Sequence, residues 1–460
     1  MTETTETPLR LASDARRALR QGPTALARRR RERLADLVAY ARAHSPFYRD
    51  LYRGLPERVE DPAQLPVTDK KTLMAHFDDW VTDREVTLAK VQEFVADPAL
   101  VGHRFQGRYL VSTTSGTSGV RGLFLTDERN LAVHTALGAR TSGGLGLADG
   151  LRVLARAGRT AVVTAPGGHF FTVASTARFR LDHPWTGRIM RVFSIEQPLA
   201  DLVDELNRYR PATLSGFLSM LTLLAGEQQA GRLRIRPAVI IAGGETMTDE
   251  ARDKLAAAFG APVRAAYACT ECGFLSTGCE HGWYHVNSDW AAVEPVDAEY
   301  RPVAPGEPSH TVLISNLANR IQPILRYDLG DSVLVRPDPC PCGNRLPALR
   351  VQGRAADVLT FPTGSGGDVG LSPMVVGARL DRVPGVEQFQ VVQAEPAVVR
   401  VRLAAAEGAD AERVWEEVRD ALGGLLAEQG AGGVRVERAA EPPQKSSGGK
   451  FRRVVPLGPR

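Results

Sequence analysis

The chain has 460 residues, more than a single hydrophobic core usually supports, so two or more domains are expected. Its hydrophobic fraction of 43% suffices for ordinary cores, and 57 Lys and Arg against 53 Asp and Glu give no charge excess that would select nucleic acid or an anionic membrane as partner. No run approaches the ~18 apolar residues of a membrane span, and the opening MTETTETPLR lacks the apolar centre of a secretory signal, so a cytoplasmic protein acting on a small molecule is expected.

In chain order, RRRRERLADLVAYARAHSPFYRDLY sets Leu34, Leu37, Val38 and Ala41 on one helical face, and Pro46 ends the pattern. TAVVT at 160 to 164 reads as a strand, and Leu199, Leu202, Val203 and Leu206 as a helix face. AVIIAGGE at 238 to 245 reads as a strand and its exit, and DEARDKLAAAFG as a helix closed by Gly260. This alternation is the signature of an α/β sheet. After GRAADVL, the segment FPTGSGGDVG at 361 to 370 is rich in Gly and polar residues and reads as a loop beside a domain boundary. Beyond it FQVVQ and VVRVRL read as strands, Val414, Val418, Leu422 and Leu425 as a helix face, and VRVE at 434 to 437 as a further strand. The expected architecture is a large N-terminal α/β domain of mixed sheets and helices over residues 1–353, followed by a small C-terminal α+β domain over 354–460.

Hydroxyls and glycines crowd the segment from Ser112 to Gly119, which follows the apolar-leaning run RYLV. Gly116 and Gly119 admit close approach of backbone N–H groups to a polyphosphate, and Ser115, Thr117 and Ser118 add hydroxyl donors. The Gly-Lys-Ser/Thr ending of a Walker loop is missing, and alone the segment reads equally as a polar turn. AGGE, with Gly243, Gly244 and Glu245, ends a predicted strand, where α/β folds place ligands. AYACTECG, with Tyr267 and Thr270, has the same setting and offers Glu271 as an oxygen ligand for Mg²⁺. RYDLGD supplies Asp331 as an acceptor for ribose hydroxyls, GRAAD supplies Arg354 and Asp357 at the domain junction, and PQKSSGGKFRR supplies Lys450 on a Gly-flanked loop. Each has a structural alternative: a strand-to-helix turn for AGGE, a solvated carboxylate for Glu271, a turn residue for Asp331, a surface lysine for Lys450.

Taken in order, these segments resemble the adenylate-forming superfamily of acyl-CoA synthetases, adenylation domains and luciferases, over nearly the whole chain. SPFYRDLY and LPVTDKKTL are similar to its phenylacetate:coenzyme A ligase branch. The resemblance implies an AMP-forming ligase that activates a carboxylic acid, aromatic by analogy with that branch, to an acyl-adenylate with ATP and Mg²⁺, then transfers it to coenzyme A. It assigns SGTSG (Ser115 to Gly119) to the phosphates, AGGE and Tyr267 to the adenine segments, Thr270 and Glu271 to catalysis and Mg²⁺, and Asp331 to the ribose. Arg354 falls in the hinge segment with Asp357 as pivot of a mobile small domain, and Lys450 becomes the catalytic lysine. A homodimer is also implied. Other acceptors stay open, namely a carrier-protein thiol, an amine, or nitrite in diazo formation, as does a nucleotide-binding homologue without catalysis. Arg121-Gly122 stands where many members have Pro-Lys, so Arg121 either replaces that charge or faces solvent.

All five cysteines fall between Cys269 and Cys342, which favours metal or packing over disulfides. Cys340-Pro341-Cys342-Gly343 is a thiolate turn, and CEHGWYH offers Cys279 with His281 or His285, enough to close a structural Zn²⁺ site. Similarity to some relatives of the phenylacetate branch selects Cys279, His285, Cys340 and Cys342; Cys269 and Cys272 form a rival pair, and buried unligated thiols are the alternative. For the acid, His169, Phe170 and Phe171 in TAPGGHFFT and Gly216 in SGF sit near predicted strand ends and offer an aromatic pocket. They read equally well as packed core residues.

Overall fold

The computed structural model describes residues 7–114, 122–142, 147–155, 158–164, 168–195, 197–245, 247–354, 358–362, 368–371, 373–380, 382–444 and 451–457. At its centre, five parallel strands lie in the order Met190–Ser194, Thr160–Thr164, Thr213–Phe217, Val239–Gly243 and Val263–Ala266. Parallel strands are covered on both faces, which is why TAVVT and VIIAG are almost wholly apolar. The helices Leu199–Tyr209, Leu218–Gln229 and Asp249–Phe259 connect them. Leu202, Leu206, Leu221, Leu224 and Leu255 pack against Ala161, Val163, Leu214 and Ile240 in one core. Gly260 closes the Asp249–Phe259 helix in the left-handed conformation, φ +59°, as the sequence anticipates.

A second core joins the N-terminal helices to three antiparallel sheets. Its helix Pro23–His44 buries Leu34, Leu37, Val38 and Ala41, the face expected from their spacing. The chain then turns at Ser45, whose hydroxyl accepts from the Tyr48 N–H and starts the next helix, Pro46–Leu51. Tyr48 Oη and Trp80 Nε1 both donate to the Pro323 carbonyl, at 2.9 and 2.8 Å. Deeper still, the fully buried Asp289 carboxylate receives a bidentate pair of bonds from Arg140, both at 2.8 Å. Arg140 also donates to the carbonyl of Ala15, and Arg33 donates to the Asp289 carbonyl while lying 3.5 Å over the Trp290 ring. One buried charge cluster thereby fastens the helices Pro8–Gln21 and Pro23–His44 to the body.

From Leu359 onwards a third core forms without the other two. Four strands lie in the order Arg435–Arg438, Val398–Ala405, Val386–Glu395 and Val454–Val455, packed against the helices Pro373–Leu380 and Ala411–Glu428. Val414, Val418, Leu422 and Leu425 are buried there, as their spacing requires. FPTGSGGDVG is not wholly the loop expected of it, since Leu359–Pro362 pairs antiparallel with Asp368–Leu371. Alternate residues Leu359, Phe361 and Leu371 enter the core, and this period of two outweighs the glycines. Among the described residues no helix is long and apolar enough to cross a membrane.

Asp289→Ala would leave two buried guanidinium groups without their shared counter-ion, and the expected loss is about 3–5 kcal/mol of folding stability. The urea unfolding midpoint measures it; a change below about 1 kcal/mol would mean that the N-terminal helices are held by apolar packing alone.

Candidate active site at the sheet edge

All five parallel strands end on one edge of the sheet, where open α/β folds gather ligands. Gly216 lies beside Ala242, Phe217 beside Gly243, and Gly243 beside Ala266, so Gly216, Gly243 to Glu245, and Tyr267 leave three neighbouring strand ends. A Cβ on Gly216 would come within 2.9 Å of the Val163 carbonyl oxygen. Gly244 combines φ +77° with a Phe217 ring carbon 2.9 Å from where its Cβ would be, so both backbone and space require glycine.

Cys269 and Cys272 exchange backbone hydrogen bonds and leave Thr270 and Glu271 as the tip of a tight turn just beyond the last strand. Glu271 is buried, its Oε1 accepts from Tyr327 Oη at 2.9 Å, and its carbonyl accepts from Asn316 Nδ2 at 2.9 Å. Burial, reinforced by the Glu271 charge, pushes the Tyr327 phenol far above its ordinary range, so it remains a donor. Next to it, Tyr267 Oη donates to Asp331 Oδ2 at 2.9 Å, also in buried surroundings. Asp331 opens the Asp331–Val335 strand and pairs in register with Arg354. Burial first, then the charge of Glu271, raises the pKa of Cys269; burial does the same for Cys272. Both remain neutral thiols within the turn.

Phe171 packs on this turn, since a Cβ on Gly273 would fall 2.2 Å from its ring. The His134 ring meets Phe171 edge-on, centroids 5.6 Å apart, and burial lowers the His134 pKa so that its imidazole is neutral. His169 lies elsewhere. It is buried, its carbonyl accepts from the Thr113 N–H at 2.6 Å, and its Nε2 lies 3.3 Å from the Asp97 carbonyl oxygen, with the Phe94 ring beside it. Phe170 bridges to Thr113. Of the three aromatic candidates, Phe171 is thus the one packed on the acidic turn. Ser115 to Gly119, Arg121, Asp357 and Lys450 lie outside the described residues, as does the Arg354 side chain. The hairpin that carries the hydroxyl-rich loop closes between Thr114 and Gly122, through bonds of 3.0 and 2.8 Å.

Glu245, expected at a nucleotide, has its carboxylate turned to protein donors. Oε2 accepts from the Ser219 N–H at 2.7 Å, while Oε1 accepts from Ser219 Oγ at 3.0 Å and from the Phe451 N–H at 3.1 Å. Burial raises its pKa against the pull of these donors and of the Arg453 charge. Phe451 follows Lys450 in the sequence, so the tail segment reaches the same sheet edge.

At the far end of a four-stranded antiparallel sheet, the ligand atoms of Cys279, His285, Cys340 and Cys342 all lie within 4.8 Å of one another. Cys279 Sγ and Cys340 Sγ are 3.8 Å apart, the edge that a tetrahedral shell with Zn–S bonds of ~2.3 Å would give. His285 Nδ1 donates to the Leu346 carbonyl at 3.2 Å, which turns Nε2 towards the thiols, 3.2 Å from Cys342 Sγ. Although burial opposes it, hydrogen bonding from His285 and from backbone groups at His281 and Trp283 brings the Cys279 thiol down to about 6. Donor set and spacing fit Zn²⁺. His281 stands outside with its side chain 44% exposed beside Glu280, and Cys269 and Cys272 belong to the acidic turn.

Sequence reasoning did not single out Tyr327, Ser219 or His134. Tyr327 lies within RYDLGD, where its inward position in the Ile324–Asp328 strand was a usable signal. Ser219 and His134 lie on helices with no local mark of their role.

No protein-family model matches the chain. A segment of 310 residues, 66% of the chain, is 21% identical to Protein CapK of Staphylococcus aureus, and it spans 61% of that protein, less than two thirds of its length. Among solved structures, 2-hydroxyisobutyryl-CoA ligase in the postadenylation state in complex with 2-HIB-AMP superposes with a TM-score of 0.68 at 22% identity, over 94% of this chain and 89% of that one. A benzoate CoA ligase from Burkholderia xenovorans LB400 superposes with a TM-score of 0.52 at 18% identity, over 75% of this chain and 67% of that one. The chain therefore has the fold of these CoA ligases.

Proposed function

We propose that the chain is an AMP-forming ligase that activates a carboxylic acid with ATP and transfers the acyl group to coenzyme A, in the phenylacetate:coenzyme A ligase branch of this fold. The observation that supports it best is the gathering at one sheet edge of Glu271, the Tyr267–Asp331 pair, and Phe451, the neighbour of Lys450. In the proposed reaction a carboxylate oxygen attacks the α-phosphorus of ATP and pyrophosphate leaves. Two anions must meet, and Lys450 neutralises the charge they share. The SGTSG loop takes the outer phosphates, and Asp331, oriented by Tyr267, takes the ribose hydroxyls. Glu271, with one oxygen already fixed by Tyr327, is the residue that would hold Mg²⁺, which supplies positive charge to the phosphates. In this reading residues 354–460 form a mobile small domain pivoting at Asp357, and Lys450 leaves the site before acyl transfer.

The acid in this proposal is aromatic, supported by the Phe171 ring packed on Gly273 and by the His134 ring edge-on to Phe171. The cysteine–histidine cluster would hold a structural zinc, closed by four protein ligands with no position for substrate. It would staple the turn leaving the Ser276–Gly278 strand to the loop before Ala348–Arg354, and so fix the sheet whose other end carries Asp331.

Lys450→Ala is expected to slow acid-dependent ATP–pyrophosphate exchange by about 3–4 kcal/mol in barrier, roughly a few hundredfold, while acyl transfer from supplied acyl-adenylate to coenzyme A is largely retained. Absence of exchange in the native protein across a broad panel of aromatic and aliphatic acids would reject the ligase reading. Protein purified without added zinc is expected to carry about one zinc per chain, lost in Cys340→Ser together with folding stability. Substoichiometric metal, unaltered by that substitution, would remove the zinc.

A further inference from the structure

The helix Glu128–Ser142 is held at two points. Asn130, buried in its first turn, accepts through Oδ1 from Asn316 Nδ2 at 3.1 Å, and the same nitrogen reaches the Glu271 carbonyl of the acidic turn at 2.9 Å. Arg140, near the other end, is bound to Asp289. His134 comes one turn after Asn130, and side chains four residues apart share a face, so it lies on the helix face that meets the acidic turn. Its ring stands edge-on to Phe171, which itself packs on Gly273 as the chain leaves that turn. A rigid element thereby carries His134 to the part of the site proposed for the acid.

Five other histidines, His44, His76, His169, His183 and His285, set a ring nitrogen against a backbone carbonyl. Neither nitrogen of His134 has a hydrogen-bond partner among the described residues. Protein surrounds the ring closely enough to keep it neutral, yet the residue is only partly buried, which places it on the wall of a recess and not within the core. A phenylalanine would pack on Phe171 as well and would leave no polar nitrogen to satisfy, so an unpaired imidazole here calls for a partner from outside the chain. What His134 offers limits the chemistry of that partner: one N–H donor, one ring-nitrogen acceptor, and no charged group acting on it. Lacking charge, it has no particular hold on a phosphate or a carboxylate. It suits a neutral hydroxyl or primary amine, and the Phe171 ring beside it suits the aromatic ring that would bear such a group.

We propose that His134 is a specificity-determining residue, and that the acid carries a hydroxyl or amino group on its aromatic ring that hydrogen-bonds to the His134 imidazole. This rests on the ligase reading for the reaction and on the His134–Phe171 geometry for the contact itself.

The test compares the native full chain with His134→Phe, which keeps a ring, and His134→Gln, which keeps a donor and an acceptor, each checked for a native near-ultraviolet spectrum. ATP–pyrophosphate exchange is measured with benzoic, phenylacetic and cinnamic acids and with their ortho, meta and para hydroxy and amino derivatives. In the native chain at least one substituted acid is expected to exceed its unsubstituted parent about tenfold in kcat/KM, the effect of one neutral hydrogen bond, and this comparison needs no variant. The ratio is expected to fall to about one in His134→Phe and to recover in part in His134→Gln, a rescue that a purely structural role would not give. A native chain that exchanges with acids but prefers no hydroxy or amino derivative overturns the inference, and so does a ratio unchanged in His134→Phe. Absence of exchange with every acid rejects the ligase reading instead, and calorimetric binding of the same acids then decides the contact: it stands if the affinity ratio falls about tenfold in His134→Phe, and is overturned if that ratio is unchanged or no acid binds.

Discussion

A carboxylate withdrawn from water needs donors in its place, and this requirement organises the molecule. Glu271 meets it with the Tyr327 hydroxyl, Asp331 with the Tyr267 hydroxyl, and Asp289 with the Arg140 guanidinium. The donors come from elements remote in sequence, so each pair also fixes how two parts of the chain sit together. Tyr327 lies 56 positions beyond Glu271, and Tyr267 lies 64 before Asp331. The acidic turn is thereby pinned from the antiparallel side while its backbone continues from the last parallel strand.

That arrangement explains why the candidate site falls where two architectures meet. The parallel sheet provides strand ends with room for close backbone approach, at Gly216 and Gly244. The antiparallel sheet provides Asp331 and the register that pairs it with Arg354. Its opposite end is drawn together at Cys279, His285, Cys340 and Cys342. In the proposed role as a zinc site, that cluster acts on the nucleotide edge only through the rigidity of the strands between them.

The seam with the C-terminal unit is built differently. Among the described residues, the ion pairs Arg382–Glu250 and Arg232–Glu407 cross it at largely solvated positions, and the Glu245 carboxylate accepts from Ser219 and the Phe451 N–H. Such surfaces separate at low cost, which suits a unit proposed to change position within a catalytic cycle.

The sequence by itself determined the elements wherever periodicity was unbroken: the Leu34–Ala41 face, the parallel strands, the Gly260 helix stop and the Val414–Leu425 helix face all follow from local spacing. It also marked which short segments are candidates for chemistry, because hydroxyls, glycines and acids stand together within a few residues of a strand end. It misread FPTGSGGDVG in part, where glycine content concealed the alternation of Leu359, Phe361 and Leu371. Only the tertiary structure decided which groups face one another: that His285 rather than His281 joins the cysteines, that Phe171 rather than His169 packs on the acidic turn, and that the Glu245 carboxylate meets Ser219 and Phe451. The physical reason is that spacing along a chain records local conformation, whereas the partner of a buried charge or ring is chosen by whatever the remote parts of the fold bring within hydrogen-bonding or contact distance.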